Sequence, residues 1–175
     1  MFNGSTKIAN KVIMYKPLPF DLGINSLLPQ SKNVCPQWLR SSPVNPLDVN
    51  LFNRLKGRFL LATEDHGRLW YLDPQTKYRY EVRTPTAICL FETTALGITK
   101  ENLALISVAD SSRSTGALGK RLQGYILLQA QQNGETWYTD RQGFRHSITI
   151  NNLVQKAAGL ALGVTNKVLE RIIPF

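Results

Sequence analysis

Residues 55–106 read LKGRFLLATEDHGRLWYLDPQTKYRYEVRTPTAICLFETTALGITKENLALI, and this stretch decides how the chain is read. Much of it returns at residues 122–172. Gly57, Leu60, Leu61, Gly67, Trp70, Tyr71 and Asp73 match Gly124, Leu127, Leu128, Gly134, Trp137, Tyr138 and Asp140 at a constant offset of 67. One residue is then lost in the second copy. Beyond it, Arg79, Ala95, Leu96, Gly97, Thr99, Leu103 and Ile106 match Arg145, Ala161, Leu162, Gly163, Thr165, Leu169 and Ile172 at an offset of 66. A repeat of this length sets the unit of structure before any element is assigned.

Within the first copy the pattern predicts a helix, a meander and two more helices. Asn45 and Pro46 suit the cap and first turn of a helix whose apolar face is Leu47, Leu51, Phe52 and Leu55, with Gly57 ending it. Residues 58–63 read as a strand, His66-Gly67 as a turn, and residues 68–72 as a second strand. Asp73-Pro74-Gln75-Thr76 is a tight turn. Tyr78, Tyr80 and Val82 then alternate with Arg79, Glu81 and Arg83, as a half-buried third strand requires. Thr84-Pro85 opens a helix that stops at Gly97, and Thr99 caps a last short helix. In the second copy Asn133-Gly134 is the hairpin turn, and Asn151 or Asn152 caps a helix that carries Gly159.

The expected fold class is therefore α+β: two tandem helix–βββ–αα units with an irregular N-terminal arm. The arm is residues 1–45, broken by five prolines. The first unit is residues 46–106. A small, polar, flexible linker follows at residues 107–120, and the second unit is residues 121–175.

The chain has 175 residues, 43% of them apolar and 19% charged, which is the composition of a soluble globular protein. It shows neither an export signal nor an apolar run of membrane-spanning length. Its two cysteines, Cys35 and Cys89, are too few for a disulfide framework and are expected to be reduced. The net charge of +9 is uneven, with an excess of 4 before residue 55 and of 1 across residues 55–106. Such a balance favours anionic partners without choosing among them.

The strings GRFLL, HGRLWYLDP, TKYRY and LGIT resemble a repeat module of bacterial proteins, many from small-genome candidate phyla. The module's core reads G-[KR]-[IF]-L-L, then G-x-x-W-Y-[VL]-[ND]-P, an aromatic pair, and L-G-[IL]-[ST]. The second copy departs from it after Asp140, where the proline is missing, and at His146, where the second aromatic should stand. Such modules accompany cell-surface proteins and wall-active enzymes. The resemblance thus implies a binding or attachment role, with a protein or a cell-envelope polymer as partner. It supplies no catalytic residues.

The residues themselves point the same way. No metal, phosphate-loop or nucleophile motif is present, and no cofactor, metal or catalytic residue is expected. Glu64-Asp65-His66 has the ingredients for acid–base work, yet the second copy replaces it with Gln131, Gln132 and Asn133. Trp70 and Tyr71, like Trp137 and Tyr138, are neighbours on a strand and must face opposite sides. The tryptophans are expected in the core. Tyr71, Arg79, Tyr80, Tyr138 and Arg145 are then the candidate ligand-binding residues, on faces where aromatics lie beside arginines. The expected function is a non-catalytic adaptor. The alternative is a basic protein binding RNA or single-stranded DNA through these Arg/Tyr faces. Without an export signal a cytoplasmic location is expected; the resemblance implies cell-surface association.

Overall fold

The computed structural model describes residues 48–109, 114–129, 131 and 134–172. The arm expected at residues 1–45 lies outside them. The first helix, α1, is Val49–Leu55, and its cap is Asp48 rather than Asn45: the Asp48 carboxylate accepts from the Leu51 amide at 2.8 Å. An acidic side chain at the start of a helix satisfies an otherwise orphaned N–H, which explains why the helix begins here. Strands β1 (Phe59–Ala62), β2 (Arg68–Leu72) and β3 (Arg79–Glu81) form an antiparallel meander. A single 3-10 turn, Thr84–Thr86, leads into α2 (Ala87–Thr94).

Here the order departs from expectation. The α2 helix ends at Thr94, and Leu96–Ile98 is a strand, β4, not a helix end. It is followed by α3 (Lys100–Ala104), capped by Thr99 as its sequence predicts. The linker is also more structured than its composition suggests. Ser107 and Ala109 hydrogen-bond to Arg145, and Ala117–Arg121 is a helix, α4. A second meander follows: β5 (Ile126–Gln129), β6 (Thr136–Thr139) and β7 (Arg145–Ile148). Then come α5 (Leu153–Leu160), the strand β8 (Leu162–Val164) and α6 (Asn166–Ile172).

Two four-stranded mixed sheets result, ordered β3-β2-β1-β8 and β4-β5-β6-β7. Each meander gains its fourth strand from the other half of the described chain. In the first sheet β8 lies parallel to β1, with Leu61 opposite Gly163. In the second, β4 lies parallel to β5, with Gly97 opposite Leu128. Parallel neighbours cannot be joined by a hairpin, so the partner must arrive by a long crossover.

The packing follows the exchange. On the outer face of the first sheet, Leu51, Phe52 and Leu55 of α1 pack with Leu169 and Ile172 of α6 over Leu60, Ala62 and Leu72. An Arg171–Asp48 ion pair ties the same two helices at the surface. On the second sheet, Leu103 of α3 and Leu122, just past α4, cover Leu127 with Leu96 and Ile98 of β4. The inner faces share one cluster, in which Phe59, Tyr71 and Tyr80 meet Ile126, Tyr138 and Ile148, closed by Leu90 of α2 and Leu153 of α5. Cys89 is buried at the edge of this cluster and is disulfide-bonded, which corrects its expected reduced state. The chain's other cysteine, Cys35, lies outside the described residues. Among the described residues no helix is long and apolar enough to cross a membrane.

Candidate functional site

The meanders place every candidate residue by the period of two. Phe59, Tyr71 and Tyr80 are in register across β1, β2 and β3 and point into the shared core. Their neighbours Leu60, Trp70 and Glu81 therefore face the other way. The side of each Trp-Tyr pair is thus the reverse of the expected one. Tyr71, Tyr80 and Tyr138 are almost wholly buried, at 0%, 1% and 3% exposure, and are not available to a ligand. Trp70 and Trp137 are only half-buried.

The physical reason lies in the tyrosine hydroxyls. Tyr71 donates to the Gly124 carbonyl oxygen at 2.8 Å, and Tyr138 donates to the Gly57 carbonyl oxygen, also at 2.8 Å. Each phenol crosses the shared core to the other meander's entry turn. Burial raises both hydroxyls well above the usual tyrosine range, so both remain protonated donors. The two turns touch. A Cβ on Gly57 would lie 2.6 Å from the Gly124 Cα, and one on Gly124 would lie 2.6 Å from the Gly57 Cα. Both glycines also have positive φ, +73° and +79°, so their identity is set twice over.

Arg79 and Arg145, expected as accessible charges, are half-buried, and they lie on tryptophan rather than beside tyrosine. The Arg79 guanidinium stands 4.0 Å over the Trp70 ring, and that of Arg145 stands 4.6 Å over Trp137. Stacking a weakly hydrated planar cation on an indole contributes about 0.5–2 kcal/mol, more where water is excluded. Burial lowers the pKa of both arginines from its ordinary value, with the neighbouring Arg68 adding to the effect at Arg79. Around Trp70 the surface is concave. Asp65, Arg68, Trp70, Arg79, Leu169 and Glu170 line a pocket of about 170 Å³. Arg68 and Asp65 form an ion pair at 3.4 Å on its rim. The indole N–H groups of Trp70 and Trp137 are buried with no hydrogen-bond partner.

The acid–base candidate at the first hairpin divides into separate roles. The Glu64 carboxylate accepts from the Asn166 amide at 2.9 Å and so caps α6. Gln131, its counterpart in the repeat, accepts from the Lys100 amide at 2.9 Å and serves α3 in the same way. An acceptor oxygen is all this position needs, so acid and amide are interchangeable. Asp65 lies 3.6 Å from His66, whose side chain is 97% exposed at the tip. Among the described residues no group of three His, Cys, Asp or Glu side chains could hold a metal ion.

Sequence reasoning missed the pairing of Asp140 with His146. Asp140 Oδ2 lies 2.7 Å from His146 Nε2, and Oδ1 accepts from the Gln142 and Phe144 amides, both at 2.9 Å. In the first turn Thr76 stands between the corresponding residues. Its hydroxyl donates to Asp73 Oδ2 at 2.7 Å and lies 3.1 Å from the Tyr80 hydroxyl. The signal was the coincidence of two departures, a shortened turn and a histidine replacing tyrosine. Comparison with protein-family models, with curated proteins and with solved structures gives no match for this chain.

Proposed function

We propose that the protein is a non-catalytic binding module made of two strand-exchanged repeats, whose ligand is a protein or an anionic component of the cell envelope. The observation that carries this reading is the Arg79–Trp70 stack set in its small polar pocket. Arg68 and Arg79 offer donors in fixed positions, Asp65 and Glu170 offer acceptors, and the indole edge gives an apolar margin. This mixture recognises a polar chain bearing negative groups.

The nucleic-acid reading needs exposed aromatic rings on which bases stack. The tyrosines that would have supplied them are core residues, and the tryptophan faces are occupied by arginine.

Fluorescence tests the choice. Alginate, a carboxylated polysaccharide, should change the tryptophan emission saturably, and R68Q/R79Q should weaken the change at least fivefold while still melting cooperatively, at a temperature lowered by no more than loss of the Arg79–Trp70 stack accounts for. A parallel anisotropy titration with single-stranded RNA should show only weak, unsaturable binding near ~0.15 M salt. Saturable submicromolar RNA binding there, with a log–log salt slope of about −0.7 per contact and loss in R79Q/R145Q, would instead establish the nucleic-acid role. Failure of both ligands would leave a protein partner, which cross-linking at the Trp70 pocket must then detect for the binding role to stand.

A further inference from the structure

A second pocket, which shares no lining residue with the one at Trp70, is formed where three segments converge. Arg58 enters from the turn between α1 and β1. Tyr138, Asp140, Arg141 and Gln142 come from the end of β6 and the turn after it. Gly159 and Leu160 close it from the end of α5. This half-open pocket has a volume of about 280 Å³. We propose that this pocket is an oxyanion site, taking a phosphate or carboxylate group between Arg58 and Arg141.

Neither Arg58 nor Arg141 makes an ion pair among the described residues. The carboxylate that lines the pocket, Asp140, is already engaged by two backbone amides and by His146. Two guanidinium groups therefore line one small space against a single carboxylate, whose oxygens are already taken up by the turn and by His146. Arg58 Nε is buried and has no hydrogen-bond partner. Both arginines also act on the Tyr138 hydroxyl, which places their charges near one point of the wall. An oxyanion between them would remove their repulsion and accept paired N–H bonds from either fork, the arrangement in which arginine binds carboxylate and phosphate most strongly.

The pocket's own walls limit what can enter. Tyr138 does not compete for the ligand, because its proton is committed to the Gly57 carbonyl. The Gln142 side chain adds a neutral amide to the lining. The volume falls just short of the ~300 Å³ at which drug-sized sites begin. A single charged group with a small carrier fits; a bulky ligand does not.

The rest of the chain shows that this site is not a by-product of the fold. At the repeat-equivalent positions Tyr125 replaces Arg58 and Pro74 replaces Arg141. Tyr125 lies close enough to Asp73 for the carboxylate to add to the upward shift that burial gives its hydroxyl. The two positions thus recur in the sequence, and both cationic residues are present in only one of the two places. One oxyanion per chain is the consequence. This site does not depend on the Trp70 face, and either can fail without the other.

The test is an NMR titration of the full chain, labelled with nitrogen-15, at constant ionic strength. The probes are inorganic phosphate, glucose 1-phosphate and glucuronate, with chloride as control. The Arg58 and Arg141 side-chain Nε–H signals and the Gln142 amide should shift saturably with at least one oxyanion, with half-saturation at or below about 1 mM. A preference for glucose 1-phosphate identifies a phosphoryl group as the natural feature; a preference for glucuronate identifies a carboxylate. R141Q, at an exposed turn position, should weaken binding at least tenfold with an unchanged melting curve. R58K keeps the charge but loses the fork, and should weaken it as well. R79Q/R145Q should bind these probes like the wild type, which separates this site from the proposed function. Shifts that do not saturate with any probe, or that persist unchanged in R141Q and R58K, would overturn the proposal.

Discussion

The sheet β3-β2-β1-β8 and the sheet β4-β5-β6-β7 are alike where they meet and different where they face solvent. At the junction, Gly57 and Gly124 lie Cα against Cα, and Tyr71 and Tyr138 make reciprocal bonds of equal length to the opposite glycine carbonyl. Away from it the likeness fades. Trp70 opens onto a pocket edged by Arg68 and Glu170, while β7 beside Trp137 is paired by residues 107 and 109. Asp73 holds Tyr80 through Thr76, whereas Asp140 holds His146 directly. Arg58 and Arg141 stand where Tyr125 and Pro74 stand in the other half. The contrast has a physical cause. A residue at the junction must satisfy both halves at once, so it cannot change alone. A residue at a turn answers only to its own surroundings and is free to specialise.

The largest effect should come from breaking the likeness at its centre. G57A and G124A each insert a methyl group into backbone 2.6 Å away and force a side chain into left-handed conformation. Together, overpacking and strain should cost about 2–5 kcal/mol in either half. Urea unfolding should find the two variants equally damaged. A G124A variant as stable as wild type would mean that the glycines do not meet.

Next in size are the hydroxyl bonds. Y71F and Y138F each strand a buried carbonyl while keeping the ring, so each should lose about 1–3 kcal/mol. The two losses should be similar, because the geometry is shared. Losses that differ by more than about 2 kcal/mol would show that one half carries the junction alone, although Phe59 lies against both tyrosines, at 5.4 and 4.6 Å between ring centroids.

How much of this the sequence made legible divides along the same line. The meanders were readable because alternation in Tyr78–Val82 and the turn residues His66-Gly67 and Asn133-Gly134 act locally. The α+β class followed from them. Strands β4 and β8 were not readable. Each has three residues with a central glycine, too short for periodicity, and glycine after a helix reads as a stop. Their partners lie far away in sequence, and no local rule points to them. The site suffered the same loss. Alternation required one of Trp70 and Tyr71 to face the core but could not say which, because the choice is made by a carbonyl 53 residues away. Arg79 and Arg145 were visible as charges on a strand, while their stacking on Trp70 and Trp137 depends on register across strands.

The smallest effect concerns one buried carboxyl. Burial raises the Asp73 pKa above its ordinary 3.8, against the opposing bonds from Thr76. The folded state then holds this proton more tightly than the unfolded state does. Its contribution to stability is fully present below the unfolded value and is lost as pH rises through the raised folded value. D73N has no proton to lose. The difference in melting temperature, D73N minus wild type, should therefore climb as pH rises from about 4 and level off above the folded pKa. A difference that falls over that range would reverse the assignment.

The exchange of strands is the claim on which the rest stands, and amide hydrogen exchange with NOE spectroscopy on the full chain tests it directly. The Thr63 amide donates to the Val164 carbonyl at 3.0 Å, and Leu61 faces Gly163 as Leu128 faces Gly97. The account predicts a slowly exchanging Thr63 amide and backbone NOEs joining residues 60–63 to residues 162–164 and residues 96–98 to residues 127–129. A fast-exchanging Thr63 amide, with NOEs from residues 96–98 to residues 60–62 instead, would mean that each meander closes on its own half and would contradict it.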